Sequence, residues 1–179
     1  MVPPGRQERA WIRGAQAGSA SDLEALFRAY WPRAFRAAYL VVHDAAAAED
    51  IAQEAFLAAV RNLDRFDRRR PFGPWLHRIV VNRAIDWARR RVLRRETGAV
   101  ELGEEEQDTG DFGNPFSEGI AAGLATLPPE QRAVIVLRYL LEYAPGEIAE
   151  LLDLPRGTVN SRLRRGLDRL ETILDRESA

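Results

Sequence analysis

Residues 146–170 read GEIAELLDLPRGTVNSRLRRGLDRL, and their spacing decides the architecture. Glu147-Ile148-Ala149-Glu150-Leu151-Leu152 makes a short helix, Asp153-Leu154-Pro155 a tight turn, and Gly157 or Thr158 to Leu174 a final helix. This is helix-turn-helix spacing. Ile148, Ala149 and Leu152 can pack on Val159, Leu163, Leu167 and Leu170, with the small Ala149 permitting a close approach of the two axes. Thr158, Asn160, Ser161, Arg162, Arg164 and Arg165 then turn outward, beside Arg156 at the turn. These are the hydrogen-bonding and cationic groups needed at base edges and phosphates. The exposed helix N-terminus adds a backbone anion site. The competing interpretation is an ordinary amphipathic hairpin with a solvated arginine face.

Working outward, Pro129 opens a helix that runs through about Leu141, and Ile120 to Leu127 makes a shorter one before it. Residues 96–118 hold four glycines, a proline and eight acids without helical periodicity, which predicts a flexible linker. Trp75 to about Arg94 is helical, with Leu76, Ile79, Val80, Arg83 and Trp87 on one face, and Asp64 to Pro74 is a loop. Ala45 to Leu63 is a strong helix with a stripe of Ala48, Ile51, Ala52, Ala55, Phe56, Ala59, Val60 and Leu63. Residues 8–42 read as one or two helices, with Ser21 or Asp22 as cap, Pro32 as a kink or division, and a break at His43–Asp44. No strand pattern competes. The expected fold class is all-α: two small helical bundles joined by a flexible acidic linker. Each bundle, roughly 85 and 55 residues, is near the lower limit for an independent core, so stable partners are expected.

Composition removes whole classes of chemistry. The 179 residues include no cysteine and no lysine, and only His43 and His77 as imidazoles. Thiolate metal sites, cysteine nucleophiles, a P-loop lysine and a Schiff base are therefore excluded, and a histidine-rich metal site is not expected. No metal or cofactor is expected. Met1 to Ala10 lacks the apolar segment of a secretory signal, and the best apolar run, Ala37 to Val42, falls far short of the ~20 residues of a membrane helix. A soluble cytoplasmic chain is expected, without direct membrane insertion.

The net charge of −1 conceals a strong asymmetry. Residues 61–95 hold twelve Arg against three acids, while residues 96–118 hold eight acids and no Arg. The arginines are interleaved with Phe66, Phe72, Trp75 and Trp87. That pattern favours nucleic acid over a merely solvated face.

The order of these pieces resembles a bacterial RNA polymerase sigma factor of the extracytoplasmic-function group, which keeps only sigma regions 2 and 4. DIAQEAF at 50–56 resembles the clamp-binding helix of region 2, and PWLHRIVVNRAIDWARRR at 74–91 the promoter-melting and −10 reading helix. LPPEQRAVIVLRYL at 127–140, followed by the helix-turn-helix, resembles region 4. The resemblance covers about residues 10–95 and 118–175. It implies an N-terminal extension at 1–10, region 2 at 11–95, a linker at 96–118, region 4 at 119–175 and a tail at 176–179.

The resemblance implies residue roles as well. Asp50, Gln53 and Glu54 would face the β′ clamp helices of core polymerase. The loop 64–74 would form the pocket for a flipped −10 base, with Phe66, Phe72 and Trp75 as flat surfaces, Arg69 in the loop and Asn82 contacting the base. Arg78, Arg83, Arg89 and Arg90 would hold the DNA backbone. Thr158 to Arg165 would read the −35 element, with Arg138 and Arg156 near phosphates. The apolar surface from Val134 to Leu141 would partly serve the β flap. With about five phosphate contacts, the log–log salt slope of DNA binding would be near −4 to −5. The free chain would be a monomer that binds DNA poorly, since the linker leaves the halves unaligned. An anti-sigma factor is the implied regulator.

Three departures from the pattern stand out. Ala144-Pro145-Gly146 replaces the usual polar cap, which predicts a late helix start; Arg68, Arg69 and Arg70 occupy the most variable loop; and Val60 stands where an aromatic is common. The rival function is a helix-turn-helix regulator of the response-regulator type that is not a polymerase subunit, and the first half of the chain discriminates against it. A second rival, an enzyme with a carboxylate site around Glu104–Glu106 or His77, lacks any pocket-forming context, so no catalysis is expected.

Overall fold

A 23-residue helix, α2 (Ala20–Val42), forms the axis on which everything else packs. The computed structural model describes residues 5–97 and 118–178, and every element among them is helical. The expected acidic linker and Met1–Pro4 of the N-terminal extension lie essentially outside the described residues. Leu26, Tyr30, Ala34, Ala37, Ala38 and Val41 are all at most 1% exposed, and the three small alanines let neighbours approach closely. Pro32 does not divide the helix. It sits on the exposed side, so the one lost hydrogen bond falls at solvent while Tyr30 and Ala34 stay anchored in the core. The division comes earlier, at Ala17–Ser19, where α1 (Gly5–Gln16) ends and Ser19 caps α2 by accepting the Asp22 N–H at 3.3 Å. Neither Ser21 nor Asp22 is the cap.

Helix α2 ends at His43, whose left-handed backbone (φ 52°) lets its N–H reach the Tyr39 carbonyl at 2.7 Å. Asp44 then caps α3 (Ala45–Asn62), accepting from Ala47 N–H at 2.9 Å. A single tight turn, Leu63–Arg65, leads into a loop, and α4 (Phe72–Glu96) begins inside the stretch expected to be loop. Pro74 falls in its first turn, where no intrahelical N–H is needed. Helices α1 to α4 form the first bundle. Glu8 of α1 is buried, so residues 5–10 belong to that bundle rather than to an extension.

The second bundle contains α5 (Glu118–Thr126), α6 (Pro129–Ile135), α7 (Pro145–Leu152) and α8 (Arg156–Ser178), the last running into the expected tail. Helix α6 widens over Val136–Leu140, where the Leu141 N–H bonds the Val136 carbonyl five residues back. Helix α7 does not start late. The Glu147 carboxylate accepts the Ala144 N–H at 2.7 Å, doing from inside the helix what a polar residue before it would do. Helices α6 and α8 approach closely at Gly166 of α8, where a Cβ would lie 2.7 Å from Ile135 Cδ1. Leu167, expected in the packing, is exposed.

The two bundles share one core. Helices α5 and α6 and the widened turn pack on α2, and α6 and α7 pack on α4. The halves are therefore aligned against each other rather than left unaligned.

Candidate nucleic-acid and polymerase interfaces

Helix α4 carries most of the candidate −10 residues, and its geometry divides them. At about 100° per residue, Trp75, Arg78, Asn82 and Arg89 form one stripe, and Arg83, Trp87, Arg90 and Arg94 a second, roughly 120° away.

Trp75 and Arg78 of the first stripe line a cleft of about 850 Å³ between the 63–72 loop and α7, while Asn82, half-buried, and Arg89 lie further along the helix outside its lining. Phe66, Arg70, Trp75 and Arg78 line one side, and Tyr143, Glu147 and Glu150 the other. Phe66 and Trp75 are in ring contact at 4.7 Å. Phe72 is only 3% exposed, wedged edge-on between Tyr30 and Phe66 at 5.2 and 5.8 Å. Phe72 thus braces the wall from inside, Phe66 is buried behind the rim, and Trp75 is the partly exposed ring of the three. Arg69 folds onto Asp67, with Nε and Nη2 both 3.0 Å from its carboxylate, and the hydrogen bond from Arg69 lowers the Asp67 pKa. The pair is solvent-exposed, so it contributes little to stability. Arg89 donates from Nε to Glu130 Oε1 of α6 at 2.5 Å. Burial, the largest single influence, pushes the Glu130 carboxyl up, but the Arg89 hydrogen bond, a backbone hydrogen bond and the charges of Arg89 and Arg162 together outweigh it and hold the group below its usual range.

The second stripe borders a different cleft, about 690 Å³, with Asp50 and Glu54 of α3 opposite Arg83, Trp87 and Arg90. Arg83 is ion-paired with Glu54. Arg83 and Arg90 therefore sit with Asp50 and Glu54, not with Asn82, because the helix rotates them away. Gln53 bonds Glu49 at 3.1 Å and does not line this cleft. Exposed Leu57, Val60 and Leu93 add apolar surface on α3 and α4. Trp87, half-buried, lies 5.1 Å beneath the Arg91 guanidinium.

On α8, Val159, Leu163 and Leu170 are buried, and Arg156, Asn160, Arg164 and Arg165 are exposed. Thr158 and Ser161 are half-buried; the Ser161 hydroxyl donates to the Thr158 carbonyl at 3.2 Å and accepts from Arg165 at 3.0 Å. Arg162 is half-buried and near enough to Glu130 to affect its titration, which turns it toward α6. Arg138, half-buried, donates to the Tyr143 carbonyl at 3.3 Å and lies 5.9 Å from the Tyr139 ring centre.

Residues 26–94 match the Sigma-70 region 2 family, and residues 117–170 match Sigma-70 region 4. The ECF RNA polymerase sigma factor SigW of Bacillus subtilis is 34% identical over 176 residues, covering 91% of this chain and 94% of that protein. The chain belongs to the extracytoplasmic-function sigma factors. It is an RNA polymerase sigma subunit. ECF sigma factor SigL of Mycobacterium tuberculosis is 34% identical over 169 residues, covering 92% of this chain and 96% of its own. The solved structure of CnrH, in complex with the cytosolic domain of CnrY, covers 94% of this chain and 97% of that one at 28% identity and a TM-score of 0.69. RpoE of Bartonella quintana, solved with the anti-sigma factor NepR, shares the fold at a TM-score of 0.72 and 21% identity, over 87% of this chain and 98% of that one. The region 2 match removes the ground for a plain helix-turn-helix regulator. Among the described residues no helix is long and apolar enough to cross a membrane.

In this sigma factor, the seam between regions 2 and 4 is built from residues that sequence patterns did not single out. Arg132, 8% exposed, donates from Nη1 to the Val41 carbonyl at 2.7 Å and from Nε to the Leu127 carbonyl at 3.0 Å. Val41 lies in the last turn of α2, so region 4 caps a region 2 helix with a cation at its negative end. Burial pulls Arg132 down to about 10, which leaves it charged at neutral pH. His77 Nδ1 shares a 2.8 Å hydrogen bond with the Tyr143 hydroxyl. Burial, then the nearby Arg33 charge, pull His77 down to about 4; burial and Arg132 do the same to His43. Arg33 of region 2 also reaches Glu142 at 3.7 Å. Val134 to Leu137, Leu140 and Leu141 are buried, so the surface expected to serve the β flap is covered in this arrangement.

Proposed function

We propose that this sigma factor divides its contacts between the two faces of α4. Asp50 and Glu54, with Arg83, Trp87 and Arg90 across the cleft, serve the β′ clamp of core polymerase; Gln53 extends that ridge. Trp75, Arg78 and Asn82, with the 64–74 loop, take single-stranded −10 bases. The exposed face of α8, carrying Asn160, Arg164 and Arg165, reads the −35 element, with Thr158 and Ser161 at its edge. The separation of Asn82 from the Asp50–Glu54 cleft by the turn of one helix carries this assignment, because polymerase and DNA can then be engaged at once. Glu130, Glu147 and Glu150 of region 4 face the −10 stripe where phosphates would lie, so region 4 moves aside before promoter binding. The protein acts in the cytoplasm, catalyses no reaction of its own, and is restrained by an anti-sigma factor, as the partners named for CnrH and RpoE suggest.

The test is run-off transcription with purified core polymerase, with and without this chain, on a promoter library. Transcripts that require both the chain and intact Asn82 support the assignment. Core binding that survives Asp50→Ala with Glu54→Ala, or promoter choice unaffected by Asn82→Ala, overturns it.

A further inference from the structure

The −10 loop is held at both ends by α1, a helix outside the residues that match the region 2 family. At the entry, Gln16 Nε2 donates to the carbonyls of Leu63 and Phe66 at 2.8 and 3.1 Å. At the exit, Glu8 Oε1 accepts the Phe72 N–H at 3.0 Å, the first residue of α4. The other Glu8 oxygen is hydrogen-bonded by the Tyr30 hydroxyl, whose ring edge meets Phe72 and whose Cε1 would lie 3.2 Å from a Cβ at Gly73. Burying a carboxylate is costly unless its lone pairs are used, and Glu8 is only 6% exposed. Both of its oxygens are used, one directly on the loop and one through Tyr30. Between the two anchors, Arg68, Arg69, Arg70 and Pro71 stay exposed, braced by Asp67, whose carboxylate accepts the Arg69 N–H at 3.0 Å and the Arg69 guanidinium, and whose carbonyl accepts the Arg70 N–H at 2.9 Å.

We propose that Glu8 and Gln16 are positioning residues that set the shape of the −10 base pocket, so α1 is a determinant of promoter specificity that never touches DNA. This rests on the assignment of the 64–74 loop to −10 recognition. A pocket for one base discriminates by placing polar groups within a few tenths of an ångström, and a loop freed at either end samples several placements.

The experiment uses holoenzyme assembled from core polymerase and full-length chain, transcribing two libraries: one randomised at −10 with a fixed −35, and one the reverse. Gln16→Ala and Glu8→Ala should flatten −10 base preference by roughly three- to tenfold, the range set by one or two lost hydrogen bonds, with −35 preference and core affinity unchanged. Glu8→Gln, which keeps an acceptor for Phe72, should recover part of the preference. If Glu8→Ala does not fold, Gln16→Ala decides alone. A uniform fall in transcription with an unaltered −10 profile would mean a merely structural role and overturns the proposal. Arg69→Ala and Asn82→Ala are run alongside; if they leave the −10 profile unchanged, the loop assignment itself fails and the proposal with it.

Discussion

Arg132→Met isolates the link between the two halves of the sigma factor. Methionine fills much of the same space but leaves the Val41 and Leu127 carbonyls without their donor. A hydrogen bond from a charged group contributes about 1.5–3 kcal/mol, and an orphaned buried carbonyl costs about 1–3 kcal/mol. Relief from desolvating the guanidinium offsets part of this, since burial already depresses its pKa. The net loss should be roughly 2–4 kcal/mol. The Leu127 bond is internal to region 4, so about half of that loss falls on the seam. Calorimetry on the full chain should show a melting temperature lower by roughly 4–16 °C, at about 2–4 °C per kcal/mol for a chain of this size. Because Val134 to Leu137, Leu140 and Leu141 are buried in this arrangement, core polymerase should bind the variant more tightly even as the fold weakens. A melting point within 1 °C of wild type, or a core affinity that falls in step with stability, would refute the reasoning.

Acid should weaken the free protein in a defined window. His43 and His77 titrate near 4 when folded and near 6.5 when unfolded, so the unfolded chain binds more protons between those values. Stability is full above about pH 6.5 and falls toward pH 4, by up to roughly 3 kcal/mol per histidine; urea unfolding across this range should show the slope, and His77→Phe should remove about half of it. Gly166→Ala places a methyl against Ile135 and should cost about 1–3 kcal/mol, read from urea midpoints, with −35 binding falling in proportion to the folded fraction. Arg164→Ala with Arg165→Ala should reduce the log–log salt slope of promoter binding by holoenzyme by about 2, leaving core affinity unchanged.

The helices and their order were legible because apolar spacing reports local burial directly. Ala48, Ile51, Ala55, Phe56 and Ala59 repeat at helical intervals, and all are buried. The expectation of two bundles and a helix-turn-helix holds for the same reason. Caps were harder. Ser19 and Ser21 both offer hydroxyls, and only the backbone turn at Gly18 (φ 89°) selects Ser19. The late start expected for α7 overlooked Glu147 as a reciprocal cap. The site was legible by composition and blurred by rotation: twelve arginines in residues 61–95 point to nucleic acid, yet Arg83 and Arg90 stand on the other face from Asn82. The seam was not legible at all. His77 with Tyr143 and Arg132 with Val41 are separated by 66 and 91 residues, and no periodicity encodes such pairs.

The Arg89–Glu130 contact gives ionic strength two opposed effects on this protein. Added salt weakens every phosphate contact made by the arginine stripe. The same ions screen Arg89 from Glu130 and Arg33 from Glu142, whose partly exposed positions leave them open to screening, and so loosen the closed arrangement that sets region 4 acids against the stripe. Starting from free sigma, promoter complex formation should therefore pass through a maximum at intermediate salt, while preassembled holoenzyme declines steadily. A near-neutral protein of this kind carries a strongly basic surface in reserve, with its own acids as counterions until polymerase and DNA replace them.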